Sequence, residues 1–199
     1  MKLMVAVPTT DYVSAAFTDC LAHLMMRLAG DGIEADVRIR AGTSVHIGRE
    51  YLAEAAVKGG FTHVLWIDSD MTFGTDVVDD LLFCAKDMVC GAFVSRRPPH
   101  SACVYTSIEE GNIQRVTDFG TQPFRVAGCG FAMVLTSTEL LKAVHDRFGT
   151  CFAMTDLEYS EDLAFCRRVN ALGREIWCEP TVRPGHIAHI EVYAGGEKP

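Results

Sequence analysis

His63-Val64-Leu65-Trp66-Ile67-Asp68-Ser69-Asp70 joins four consecutive apolar residues to two carboxylates one residue apart. An unbroken apolar run of strand length is expected of a parallel strand buried on both faces. The acids then fall where the strand leaves its sheet, and open α/β sheets bind ligands at that carboxyl edge. Two such carboxylates can face one hard cation while filling only part of its shell. Positions then remain for phosphate oxygens and water. A helix cap beside a solvated acid would give the same letters, so the surroundings must decide.

Upstream, residues 3–7 form a second apolar run ending at Pro8. Phe17, Cys20, Leu21, Leu24, Met25 and Leu28 follow at helical spacing, with Gly30 and Gly32 beyond them. Residues 35–39 read as a strand of period two, and 47–58 as a helix closed by Gly59-Gly60. Downstream, Thr75 is expected to cap a helix with Val77, Val78, Leu81, Leu82 and Ala85 inward. Residues 88–94 give a further strand. This βαβαβαβ order predicts an α/β fold with a parallel, doubly wound sheet and helices on both faces.

The second half is less regular. Arg96-Arg97-Pro98-Pro99 opens a long loop, and 105–115 predicts a hairpin around Glu110-Gly111-Asn112. Residues 129–136 read as a strand associated with Gly128 and Gly130. Thr136 followed by Glu139 has capping-box spacing. Ser160 is expected to cap a helix carrying Phe165, Cys166, Val169 and Leu172 and stopping at Gly173. A short strand, 175–178, closes the pattern. No linker interrupts the composition, which predicts one domain over 1–199, with a loose tail at 191–199.

The net charge of −8 argues against a nucleic-acid backbone as partner, because such sites need basic surfaces. A phosphorylated small molecule is compatible with it, since a divalent cation can supply the positive charge. Cys20, Cys84, Cys90, Cys103, Cys129, Cys151, Cys166 and Cys178 contain no Cys-x-x-Cys pair. They read as buried reduced thiols, which predicts a cytoplasmic protein. No apolar run approaches the roughly 18 residues of a membrane span, and the opening run is too short for a secretory signal.

The strand and its acid pair resemble the Asp-x-Asp motif of GT-A-fold, nucleotide-sugar-dependent glycosyltransferases. Other stretches match in order along nearly the whole chain. Val5-Ala6-Val7-Pro8-Thr9-Thr10 resembles the family's opening strand and loop, which implies contacts from Pro8, Thr9 and Thr10 to base and ribose. Ser44 through Glu50 resembles the segment entering the second helix, implying that Arg49 reaches the nucleotide or its phosphates. Gly128-Cys129-Gly130-Phe131 is similar to the turn and strand lining the acceptor side. Ser160-Glu161-Asp162 resembles the acidic motif at the start of a late helix. Pro184-Gly185-His186 resembles the carboxyl-terminal histidine that completes the metal shell in some members.

The resemblance implies a single GT-A-like domain with a mostly parallel central sheet. Residues 1–94 would be its nucleotide-binding half and 95–190 its acceptor half. It implies metal-dependent transfer of a sugar from a nucleotide-diphosphate sugar, a UDP-sugar by preference, to an acceptor hydroxyl. Mn²⁺ or Mg²⁺ would be held by Asp68, Asp70 and His186, with Ser69 beside the donor. Asp162, with Glu161 next to it, would be the catalytic acid pair. Asp162 acts as general base if configuration inverts, or orients hydroxyls if it is retained.

Plainer readings stand beside each of these. Arg49 reads equally as a solvated arginine, and Gly128 and Gly130 as a tight turn. Glu161 and Asp162 favour a helix's first turn through the macrodipole alone. His186 and His189 fit ordinary loop positions, and Arg96 and Arg97 either clamp phosphate or acceptor or are solvated. Asp68-Ser69-Asp70-Met71-Thr72 also resembles the first motif of haloacid dehalogenase-like phosphatases. Against that stand its place on the third strand and the lack of a downstream lysine followed by a Gly-Asp-x-x-x-Asp run. A non-catalytic nucleotide-sugar-binding module, with an oligomer or partner subunit supplying acceptor recognition, is a further alternative. A nucleotidyltransferase would need a glycine-rich basic loop after the first strand, which residues 8–12 do not supply.

Overall fold

The computed structural model describes residues 1–154 and 160–188. In chain order the elements are β1 (Lys2–Pro8), α1 (Ala15–Gly30), β2 (Glu34–Arg40), α2 (Val45–Lys58), β3 (His63–Ile67), β4 (Met71–Thr72), α3 (Val77–Phe83) and β5 (Met88–Gly91). There follow β6 (Val104–Glu109), β7 (Asn112–Arg115), β8 (Phe124–Val126), β9 (Gly128–Cys129), β10 (Met133–Ser137), α4 (Thr138–Phe148), α5 (Glu161–Ala171), β11 (Ile176–Glu179) and β12 (Gly185–His186).

The central sheet has seven strands in the order β2-β1-β3-β10-β5-β11-β8. β1 pairs in parallel with β2 and β3, and β5 with β11. Alternation along each strand sends side chains to two cores. Met4, Ala6, Val64, Trp66 and Val134 meet α2, α4 and α5 on one face. Leu3, Val5, Val7, Leu65, Ile67 and Leu135 meet α1 and α3 on the other. The expected mostly parallel sheet with helices on both faces is therefore present.

One expectation fails. β5 does not lie beside β3, because β10 is inserted between them and runs antiparallel to both. A run buried on both faces reads alike in either direction, and only its connection fixes its sense. Here the chain enters β10 from the small sheet β7-β6-β9 with no crossover helix. The apolar stretch 129–136 also breaks in two, at Gly130, whose amide donates to Cys103 O at 2.8 Å.

Three helix caps and ends shift from expectation. α3 is capped by Asp76 rather than Thr75, and Ala85 lies beyond its end, exposed, with φ of 49°. α4 is capped by Ser137, whose hydroxyl accepts from Leu140 N at 3.1 Å. Thr136 is instead buried in β10 and accepts the indole N–H of Trp66 at 3.0 Å. The strand expected over 88–94 stops at Gly91. A Cβ there would lie 2.8 Å from the Val182 carbonyl oxygen, so the backbones approach too closely for another residue. All eight cysteines are free thiols. Burial, with Glu179 alongside, pushes the Cys84 thiol up to about 12.

Candidate functional site

A cleft of about 530 Å³ opens at the carboxyl ends of β1 and β3, lined also by the starts of α2 and α5. β3 ends in a tight turn: Asp68 N donates to Ala132 O at 3.2 Å and Met71 N to Asp68 O at 3.3 Å. This turn puts Asp68, Ser69 and Asp70 on the cleft wall together with Pro8, Thr10, Arg49, Arg96, Glu161 and Asp162. Thr9 supports the wall from behind. It accepts from Ser69 Oγ at 3.1 Å and donates to Tyr12 O at 2.8 Å.

Arg49 is 3% exposed and spends its guanidinium on carboxylates. One nitrogen donates to Asp68 Oδ1 at 2.8 Å and another to Glu161 Oε1 at 2.5 Å. Its guanidinium carbon lies 5.3 Å from the Phe131 ring centroid, within cation–π range. Phe131 belongs to an aromatic cluster with Trp66, Phe152 and Phe165, at centroid separations of 4.8–5.8 Å. Arg49 is thus a buried strut between the first carboxylate of the acid pair and the helix carrying the second acid pair.

The second carboxylate has different company. Asp70 Oδ2 takes Arg96 at 2.6 Å and faces His186 Nε2 at 3.4 Å. Burial opposes ionisation of Asp70, but His186 and Arg96 outweigh it and hold its pKa below the usual carboxylate value. The bond to Asp70 raises the pKa of His186, against burial and helped by Val94. His186 Nδ1–H donates to Val94 O at 2.9 Å, which leaves Nε2 turned to Asp70. A histidine fixed through one nitrogen in this way presents the other as a ligand.

A miniature sheet delivers that histidine. β12 pairs antiparallel with β4, with His186 opposite Met71, and Ile187 N donates to Asp70 O at 2.8 Å. The approach is close: a Cβ on Gly185 would lie 2.6 Å from Thr72 Oγ1. Thr72 is β-branched and stiff about χ1, so its side chain yields little to such a contact. Gly185→Ala should therefore push β12 from β4 and loosen the His186–Asp70 pair, so that the His186 pKa falls back toward its ordinary value. NMR titration of the imidazole, with circular dichroism to check folding, would show it. An unchanged titration would mean that the pair does not depend on this contact.

Asp162 lies in the first turn of α5, facing the cleft. Its Oδ1 accepts from Leu163 N at 2.8 Å and from Ser160 Oγ. Burial pushes its carboxyl above the usual value, with Arg49 pulling the other way. A Cβ on Gly130 would sit 3.3 Å from Asp162 Oδ2, so Gly130 makes the room in which that oxygen lies.

The fold thus brings Pro8, Thr10, Arg49, Asp68, Ser69, Asp70, Glu161 and Asp162 to one cleft, and places Thr9 and His186 directly behind it. Arg97 does not line it, whereas Arg96 does. His189 and the tail 191–199 lie outside the described residues. Sequence reading did not single out Tyr12, Val13, Ser14, Val45 or Ile187 on the cleft wall. Tyr12, Val13 and Ser14 follow the buried strand β1, which was the available signal, whereas Val45 opens α2 and Ile187 follows β12.

Among the described residues, no three His, Cys, Asp or Glu side chains gather closely enough to cage a metal alone. The donors present nevertheless suit a shared ion. The 3.4 Å between Asp70 Oδ2 and His186 Nε2 is near the edge of about 3 Å expected for an octahedron with bonds of roughly 2.1 Å. The cleft also carries four carboxylates, Asp68, Asp70, Glu161 and Asp162, against two arginines, Arg49 and Arg96.

No protein-family model and no curated protein matches the chain. Solved structures do. A197 from STIV aligns with a TM-score of 0.62 at 16% identity, over 95% of this chain and 87% of that one. GalNAc-T7, solved with UDP, GalNAc and Mn²⁺, aligns at 0.56 and 9% identity, over 96% of this chain and 44% of that one. The 4-diphosphocytidyl-2C-methyl-D-erythritol synthase of Anaerococcus prevotii aligns at 0.50 and 10% identity, over 94% and 90%. The fold is GT-A-like. It is shared by sugar transferases and nucleotidyltransferases, and at these identities the likeness concerns architecture alone. Among the described residues, no helix is long and apolar enough to cross a membrane.

Proposed function

We propose that the protein is a metal-dependent glycosyltransferase that moves a sugar from a nucleotide-diphosphate sugar, with UDP as the nucleotide, to an acceptor hydroxyl. The observation that carries this reading is a cleft at the sheet's carboxyl edge lined by four carboxylates against two arginines. Such a surface repels a diphosphate unless a divalent cation comes with it. The resemblance of the Asp68-Ser69-Asp70 segment to the Asp-x-Asp motif, and the fold shared with a protein solved with UDP and Mn²⁺, support it.

On this reading residues 1–94 form the donor half and 95–190 the acceptor half. Pro8, Thr9 and Thr10 hold the nucleoside end, with Ser69 bracing the loop through Thr9. Asp70 and His186 hold Mn²⁺ or Mg²⁺, with Asp68 beside them. When bound, the ion neutralises charge building on the departing diphosphate. Arg49 fixes Asp68 and Glu161, and Asp162 removes the acceptor's proton. The eight free thiols suit a reducing compartment such as the cytoplasm.

A phosphatase of the haloacid dehalogenase type fits less well. Asp68, its nucleophile, is tied to a buried arginine, and no lysine lines the cleft among the described residues.

The test is calorimetric titration of UDP with and without Mn²⁺ into wild type and Asp70→Ala. Wild type should bind UDP only with metal, and the variant should lose at least about 10- to 100-fold. Equal metal-dependent affinity in the two proteins would overturn the assignment.

A further inference from the structure

Arg96 stands at the edge of the donor cleft on a loop whose base is pinned. Ser95 N donates to Ser101 O at 2.9 Å, Ser95 Oγ to Arg97 O at 2.9 Å, and His100 Nδ1 to Ser95 O at 3.1 Å. Val94 and Ala102 are bridged, and the Val94 carbonyl also anchors His186. The backbone is thus fixed, while the Arg96 side chain is 52% exposed and able to turn. Among the described residues its one charged partner is Asp70 Oδ2, the oxygen that also faces His186 Nε2.

A guanidinium and a divalent cation compete for that oxygen. Each brings positive charge to the same point, and like charges at contact distance repel. The arginine has somewhere else to go, since it already lines the cleft where the diphosphate would lie. Its planar fork matches phosphate oxygens in a way that a point charge does not.

Resting on the donor-site reading above, we infer that Arg96 serves the site twice. In the empty site it is the counter-cation of Asp70 and opposes metal. When metal and nucleoside diphosphate arrive together, it exchanges Asp70 for the phosphates. Metal alone then binds poorly, metal with diphosphate binds well, and each raises the affinity of the other by the same factor.

The experiment measures Mn²⁺ affinity without nucleotide, and UDP affinity at saturating Mn²⁺, for wild type, Arg96→Ala, Arg96→Lys and Arg97→Ala. Arg96→Ala should move the two in opposite directions. Mn²⁺ alone should bind roughly 2- to 5-fold tighter, the scale of one partly exposed ion pair. UDP should bind about 10- to 100-fold weaker, the scale of a lost charged hydrogen bond. Arg96→Lys should keep the weak metal binding of wild type yet lose part of the UDP affinity. Arg97→Ala, on a residue that does not line the cleft, should match wild type in both.

If Arg96→Ala shifts both affinities the same way, or leaves Mn²⁺ binding unchanged, the exchange is excluded while the donor site stands. If wild type shows no Mn²⁺-dependent UDP binding, the donor-site reading falls and this inference with it. Loop substitutions leave both cores intact, and matched melting curves would verify that every variant is folded.

Discussion

Asp162→Asn is expected to lower sugar transfer by roughly 10²- to 10⁴-fold, to leave Mn²⁺-dependent UDP binding at the wild-type level, and to raise the melting temperature slightly at neutral pH. The amide keeps the Oδ1 acceptor used by Leu163 N and Ser160 Oγ, so the start of α5 need not move. It loses the oxygen beside Gly130 that can take a proton. The stability change follows from linkage. Burial raises the Asp162 pKa above its ordinary 3.8, so the folded protein holds this proton more tightly than the unfolded chain does. The group's contribution to stability is therefore full below 3.8 and is lost as pH rises through the folded value. At neutral pH the ionised carboxylate is a cost, and Asn removes it. Transfer at the wild-type rate would remove the base assignment. A product with retained anomeric configuration, read by NMR, would make Asp162 an orienting group instead.

Arg49→Met should destabilise the protein by about 3–5 kcal/mol, the range for removing one partner of a buried charge network. The methionine can fill the space against Phe131, but Asp68 and Glu161 then face each other without a cation. Lysine should rescue little, because one ammonium does not span two carboxylates as a guanidinium fork does. Urea unfolding of Arg49→Met, Glu161→Gln and the double variant gives the coupling directly. Additive losses would mean that the two side chains do not support each other. Because the strut joins β3 to α5, donor affinity should fall along with stability.

The two halves of the chain differ in how much their letters disclose. His63–Ile67 is legible to its last residue because four consecutive apolar positions between His63 and Asp68 admit few other structures. The hairpin of β6 and β7 is legible through Gly111, which adopts a φ of 72°. The start of α4 was misread by one residue, since Thr136 and Ser137 both carry a capping hydroxyl. The indole of Trp66 holds the Thr136 hydroxyl inside β10, and Ser137, the strand's last residue, is left to cap the helix. Arg49 stood out in the segment that enters α2, but its partners did not. Its partner Glu161 lies 112 positions away, and no local pattern links them.

From its letters alone the chain determined the α/β class, the strand that ends in Asp68 and Asp70, and the helix that begins at Glu161 and Asp162. These depend on periodicity and burial, which act between neighbours in sequence. Tertiary structure decided the direction of β10, the meeting of His186 with Asp70, and the division of cations that gives Arg49 to Asp68 and Arg96 to Asp70. Those depend on which surfaces come within a few ångströms after folding, and charge and hydrogen-bond geometry act only at that range.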